Sequence, residues 1–201
     1  AAQPHAILRH NNAIAMLTDN QIRLRALEPS DVDRLYIWEN CPEMRRHGVN
    51  AAPYSRHQLW EYANNYDADP LRSGQLRLII EVTTSDRNAG CNCPGKQTAT
   101  AVGCIDLYDI DPRNRHAYIG IMTSPEHRGM GYASVALELI KTFARDSLGL
   151  HTLAAIAASD NTPSVRLFTR CGFRKSGILT GWLRIEGDTY TDAVLFHSTL
   201  Q

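Results

Sequence analysis

Residues Tyr118 to Ala133 read YIGIMTSPEHRGMGYA, and this stretch decides the fold. Apolar residues at Ile119, Ile121 and Met122 describe a strand. Ser124 to Gly131 breaks the pattern, and the longest helix of the chain follows. Its stripe is Val135, Leu139, Ile140, Phe143 and Ala144, with Glu138, Lys141, Arg145 and Asp146 largely off it. Gly149 stands where glycine often closes a helix. A strand that feeds a glycine turn and then a helix makes an anion cradle. The first helical N–H groups lack internal partners, and glycine lets the backbone come close to a ligand. Phosphate and pyrophosphate are the ligands such a turn suits. No lysine follows Gly131, so the turn is not a Walker loop. A dinucleotide fingerprint would need Gly or Ala where Ser134 stands, and it lacks the acidic strand end.

Working outward, Gln21–Leu27 alternates as a strand, and Ser30-x-x-Asp33 reads as the cap of a first helix bearing Trp38. Ser55 with Gln58 caps a second helix, Ser55–Tyr66, which carries Trp60. Gln75–Thr83 and Thr98–Tyr108 are strands around a turn-rich insertion, and Ala117–Thr123 is the next. Beyond the long helix come a strand, His151–Ala158, and a helix, Asp160–Cys171. A hairpin of Phe173–Ile185 and Thr189–Thr199 closes the chain. The expected class is α+β in the order β-α-α-β-β-β-α-β-α-β-β, a mixed and mostly antiparallel sheet flanked by helices. Residues 1–20 read as a lead-in and residues 21–201 as one domain.

The chain has 201 residues, 21 Lys plus Arg and 21 Asp plus Glu, so it shows none of the basic excess of a nucleic-acid binder. No run approaches the ~20 apolar residues of a membrane span, and no secretory leader is evident. Five cysteines, an odd number, read as reduced thiols of a cytoplasmic protein. Cys91 and Cys93 lack a second pair and the histidines are scattered, so no metal site is expected.

Arg128-Gly129-Met130-Gly131-Tyr132-Ala133, preceded by Pro125, resembles the Gln/Arg-x-x-Gly-x-Gly/Ala pyrophosphate loop of the GNAT acyl-CoA N-acetyltransferases. Asn161-x-x-Ser164 followed by Leu167-Phe168-Thr169-Arg170-Cys171-Gly172-Phe173 resembles that family's second mark, on the helix lining the coenzyme. The likeness runs over residues 21–199. The stretches from Ile22 to Asp33, Val102 to Asp111 and Ile185 to Tyr190 resemble the branch of ribosomal-protein N-terminal and spermidine/diamine acetyltransferases.

The resemblance implies a GNAT fold and acetyl-CoA as co-substrate. It implies direct attack by a small amine or a protein N-terminus, with no nucleic-acid or membrane partner, and it allows a homo-oligomer. Ile121, Met122 and Thr123 would splay from the neighbouring strand and offer backbone groups to the pantetheine arm. Arg128, Gly129, Met130, Gly131, Tyr132 and Ala133 would hold the pyrophosphate. Asn161 would bond the coenzyme or cap its own helix, with Ser164 beside it. The family's Ala-Glu-Ile-Gly base is Ala117-Tyr118-Ile119-Gly120 here, which leaves Asp106 and Asp109 as candidates for proton relay or amine anchor. The family's acid, a tyrosine, is replaced by Phe168. Tyr118, Cys171, Ser164 or water could serve, or a thiolate could leave unaided. Acceptor recognition would fall to Glu39, Tyr54 and Trp182, with Glu43, Trp60 and Tyr190 nearby. Ala51-Ala52 stands where spermidine enzymes carry an acidic pair. A non-catalytic acyl-CoA sensor is the alternative.

Overall fold

The computed structural model describes residues 17–19, 21–45, 52–67, 69–85 and 97–201. Its strands are β1 (Thr18–Asp19), β2 (Ile22–Ala26), β3 (Leu76–Ser85), β4 (Gln97–Asp111), β5 (His116–Thr123), β6 (Thr152–Ala158), β7 (Arg174–Glu186) and β8 (Thr189–Thr199). Its helices are α1 (Val32–Asn40), α2 (Pro42–Arg45), α3 (Arg56–Asn64), α4 (Pro70–Ser73), α5 (Tyr132–Asp146) and α6 (Thr162–Arg170). The strands form one sheet in the order β1-β2-β3-β4-β5-β6-β8-β7. Each neighbouring pair is antiparallel except β5 and β6. The α+β layout read from the sequence is therefore present.

Alternation along the strands builds a core on each face. Leu78, Ile80 and Val82 of β3 join Ile105 and Leu107 of β4 beneath α5 and α6. Ile79 and Cys104 face the other way, toward Leu35 and Trp38 of α1 and Leu59 of α3. α5 presents Ala136, Leu137, Ile140 and Ala144 to the sheet, a helical stripe that packs against β2 and β5.

Several elements differ from the sequence reading. Thr18–Asp19 lies in the expected lead-in yet pairs with β2. α2 and α4 are single turns between the longer helices. The entry to α1 is fixed by Asp31 rather than by the Ser30/Asp33 pair. An Asp31 oxygen accepts the Glu28 N–H at 3.0 Å, and Arg25 holds both Asp31 oxygens at 2.7 Å. Asp33 instead pairs with Arg56 of α3. The Ser55/Gln58 capping box on α3 is formed as read. Trp38 is buried, whereas Trp60 is half exposed. Cys91 and Cys93 lie outside the described residues.

Candidate active site

β5 and β6 pair only at His116↔Thr152, Ala117↔Leu153 and Tyr118↔Ala154. On its other side β5 stays paired with β4 as far as Gly103↔Thr123. One edge of Ile119–Thr123 therefore faces a gap in the middle of the sheet, and Ile121, Met122 and Thr123 line it. On the edge away from β4 this segment has no strand partner among the described residues, and its backbone groups there can serve an extended ligand, apart from the Thr123 carbonyl, which accepts from Arg128.

The turn after β5 closes one end of that gap. Gly129 and Gly131 both adopt left-handed backbone, φ 77° and 82°. A Cβ on either would meet no atom within 4 Å, so conformation rather than crowding calls for glycine there. Gly131 is the N-cap of α5, no side chain caps it, and no acid stands in the first turn. The N–H groups at Tyr132 and Ala133 and the positive end of the helix dipole thus stay available to an anion. Met130 is exposed beside them. The Arg128 guanidinium pairs with Glu43 on α2, and its Nε donates to the Thr123 carbonyl at 3.3 Å. Across the gap, the Asn161 side-chain oxygen accepts the Ser164 N–H at 3.2 Å and caps α6. This cap leaves the donor end of the amide for a ligand.

The α1/α3 face of the same strands carries a charge cluster. Asp106 on β4 lies across from Arg77 on β3 and from Gly120 on β5. Arg77 donates from Nε and Nη2 to the two Asp106 oxygens, at 2.7 and 2.9 Å, and from Nη1 to Glu39 on α1, at 2.9 Å. The Tyr66 hydroxyl accepts the Arg77 backbone N–H, and the Tyr62 ring lies 5.6 Å from the guanidinium. Burial opposes the charge on Arg77, but the Asp106 carboxylate and the groups around it outweigh burial and hold its pKa well above the usual arginine value. Burial pushes the Tyr62 and Tyr66 phenols up, so both are neutral at pH 7. Arg77, Tyr62 and Tyr66 were absent from the sequence reading. Their signal was Ile79: a buried apolar residue two places along β3 marks the Arg77 face as covered.

The other candidates separate. Tyr118 stacks on Tyr108, centroids 5.6 Å apart, at the end where β5 and β6 still pair. Asp109 is exposed at a bulge near the end of β4, with φ 49°. Asn40 holds both the N–H and the C=O of Tyr54, each at 2.9 Å, and so ties the start of α3 to the end of α1. Trp182 is exposed on β7, the edge strand three places from β5, and so stands apart from Glu39 and Asp106 within one chain. Phe168 lies in the core against Phe173 and Phe196, at 5.2 and 5.7 Å. Cys171 is buried, and burial pushes its thiol up. Cys104, beside the cluster, is likewise pushed up by burial. Neither sulfur supplies a thiolate nucleophile.

A sheet opened between two parallel strands, with an uncapped helix N-terminus at the opening, has the form of a coenzyme site for group transfer. A family model described as "Acetyltransferase (GNAT) domain" matches residues 21–174, and the chain belongs to that family. An uncharacterized N-acetyltransferase, p20, of Bacillus licheniformis is 25% identical over 89% of this chain and 95% of its own. Spermidine N(1)-acetyltransferase of Vibrio cholerae is 25% identical over 84% of this chain and 88% of its own. A crystal structure of the Vibrio cholerae spermidine N-acetyltransferase with CoA and spermine superposes with a TM-score of 0.74 at 24% identity. It covers 90% of this chain and 97% of that one. The protein is an acetyl-CoA-dependent N-acetyltransferase that transfers acetyl to an amine, and the sensor alternative falls away. No helix among the described residues is long and apolar enough to cross a membrane. No three metal-ligating side chains cluster among those residues.

Proposed function

We propose that the acceptor is a small, cationic primary amine, acetylated by direct attack on acetyl-CoA in the cytoplasm. The observation that carries this reading is the Glu39–Arg77–Asp106 cluster across from Gly120. Two carboxylates meet one guanidinium on the face of β5 that the helices α1 and α3 cover. Gly120 places no side chain beside Asp106, and the atom nearest its Cβ position is Tyr108 Cε1 at 3.7 Å.

In this reading the turn Arg128–Ala133 holds the pyrophosphate through main-chain N–H groups, with Asn161 and Ser164 at the far wall. Ile121–Thr123 supply N–H groups to the pantetheine arm, and one of them polarises the thioester carbonyl. An aliphatic ammonium near pKa ~10 must lose a proton before it attacks. Asp106 anchors the amine, and a water held there relays the proton. Each carboxylate oxygen engaged by Arg77 keeps a second lone pair for this. Asp109, exposed at the strand end, would take the proton onward. Tyr118 is the phenol that serves the departing sulfur. Glu39 and Tyr54 shape the acceptor side. Residues 21–201 act as one domain, and copies associate through exposed Ile178, Trp182 and Tyr190 of the β7–β8 hairpin. In an assembly Trp182 would reach the acceptor side of a neighbouring copy. A relative from Vibrio cholerae is described as dodecameric, which supports association.

The test is thiol release from acetyl-CoA with a panel of monoamines, diamines, polyamines and short peptides. Turnover should be fastest with the small diamines and slow with a peptide α-amine. Release from peptides alone would move the acceptor to a protein N-terminus. No release with any amine would end the reading.

A further inference from the structure

The turn between β5 and α5 is held at its base by short-range contacts. Ser124 is fully buried, its N–H donates to the Val102 carbonyl at 2.9 Å, and its hydroxyl meets His127 Nδ1 at 2.7 Å. The N–H groups of His127 and Arg128 close onto the carbonyls of Ser124 and Pro125, at 3.0 and 3.3 Å. Glu126 faces His127, 3.6 Å away. The backbone of Arg128 is therefore fixed, while its side chain reaches out of the turn to Glu43 on α2, 85 residues back in the chain. Arg128 is the only arginine or lysine from Ser124 to Gly131. The Arg128 and Glu43 side chains are 43% and 62% exposed, so water and salt screen the pair and it is readily broken.

We propose that Glu43 sets the affinity for the coenzyme by competing with its pyrophosphate for the Arg128 guanidinium. In the structure the carboxylate holds Nη1. A pyrophosphate seated on the N–H groups of α5 brings two negatively charged phosphoryl groups to the same turn, and a guanidinium meets a phosphate through two parallel hydrogen bonds. The Arg128 side chain then changes partner, and Glu43 is left to solvent. The ion pair is thus an autoinhibitory strap between α2 and the coenzyme turn. The inference rests on the reading that seats the pyrophosphate on this turn, and it adds what opposes binding there.

Calorimetric titration with CoA tests this, and dephospho-CoA separates the pyrophosphate from the 3′-phosphate. An exposed ion pair is worth on the order of 2- to 5-fold in an equilibrium constant. Glu43→Gln frees Arg128 and should lower the Kd for both ligands by ~2- to 5-fold. Arg128→Gln should raise both Kd values at least ~3-fold. Adding Glu43→Gln to Arg128→Gln should then change Kd by less than ~1.5-fold, because the group it would release is gone. A carboxylate acting through its field alone would give the same gain in both backgrounds, which would overturn the proposal. Glu43→Asp keeps the charge but withdraws the carboxylate by one methylene. It should show part of the gain, where a field effect would show none, and it carries the test if Arg128→Gln does not fold. A Kd for CoA that is unmoved or raised in Glu43→Gln, with the parent binding CoA, overturns this inference alone. A gain seen with CoA and lost with dephospho-CoA moves Arg128 to the 3′-phosphate and overturns it as well. A parent that binds neither ligand overturns the coenzyme-site reading and this inference together.

Discussion

A Cβ built on Gly103 would stand 2.1 Å from the carbonyl oxygen of Met122. Gly103 pairs with Thr123 at the last register position of β4 and β5 and lies next to the bulge between Ile80 and Glu81. The atom it would strike is backbone, which cannot swing aside. Gly103→Ala should therefore cost ~1–3 kcal/mol by overpacking. It should also weaken coenzyme binding, because the displaced strand is the one that lines the gap. Urea denaturation and CoA titration check both effects. A variant within ~0.5 kcal/mol of the parent would contradict the close approach.

Gly131 presents the opposite case. A Cβ there meets open space, so Gly131→Val should fold, losing ~1–2 kcal/mol to left-handed strain. The added bulk would cover the N–H groups of α5 and raise the Kd for CoA at least ~10-fold. Gly149, with φ 66° and an equally open Cβ position, is the control. Gly149→Ala should bear similar strain and leave CoA affinity unchanged. Calorimetric titration of the two variants separates them.

The strands, the long helix and the coenzyme turn were legible because each carries a local signal: a period of two, a stripe, or a pair of glycines. Ser30 and Asp33 have the spacing of a cap for α1, but Asp31 takes that place because Arg25, six residues back, holds it, a pairing that spacing does not encode. The single turn of α4 carries a local signal, Asp69 before Pro70, and Asp69 caps it in the structure. The acid–arginine cluster was half visible. Glu39 and Asp106 are candidates in the sequence, whereas no motif there singles out Arg77. Its role depends on α1 and β4 arriving beside it. Phe168 stands where the family carries its tyrosine, and its ring packs against Phe173 and Phe196.

Burial would raise the Asp31 carboxyl, but the two-point contact with Arg25 prevails and its pKa is lowered. Glu81 is lowered in the same way by Arg25 and Arg23, against its burial. A carboxylate depressed in the native state stabilises fully above its unfolded value, ~4. That stabilisation goes as pH falls from ~4 through the lower native values. The melting temperature should be nearly flat between pH 5 and 7 as far as these groups go, and should drop steeply below ~4. Asp31→Asn should start lower and show a shallower acid slope. Equal slopes for the variant and the parent would remove Asp31 from the account.

Tyr118→Phe should lower kcat by ~10²-fold if the phenol protonates the departing sulfur. Adding Phe168→Tyr should recover part of that loss below pH ~8.5, where protonating a thiolate is favourable. The Phe168→Tyr variant alone should melt below the parent, because its hydroxyl enters a site walled by Phe173 and Phe196. Single-turnover rates across pH, beside melting curves, decide the matter. A parental single-turnover rate in Tyr118→Phe would rule the phenol out.

Among the described residues, the three register positions that join β5 to β6 are the only ladder between a five-stranded block, β1 to β5, and a three-stranded block, β6, β8 and β7. Beyond Tyr118 and Ala154 the blocks diverge like the legs of a compass, with its pivot at one end of the ladder. A coenzyme bound in that gap would be more than cargo: filling the wedge would supply the cross-bracing that the polypeptide omits, and the angle between the blocks would become a property of the loaded protein. Amide protons on the open edge of Ile119–Thr123 should exchange rapidly in the unliganded chain and slow on CoA addition, while those facing β4 hardly change. Such one-sided protection would make the ligand a load-carrying part of the sheet, and catalysis would then proceed within a frame that its own substrate has completed.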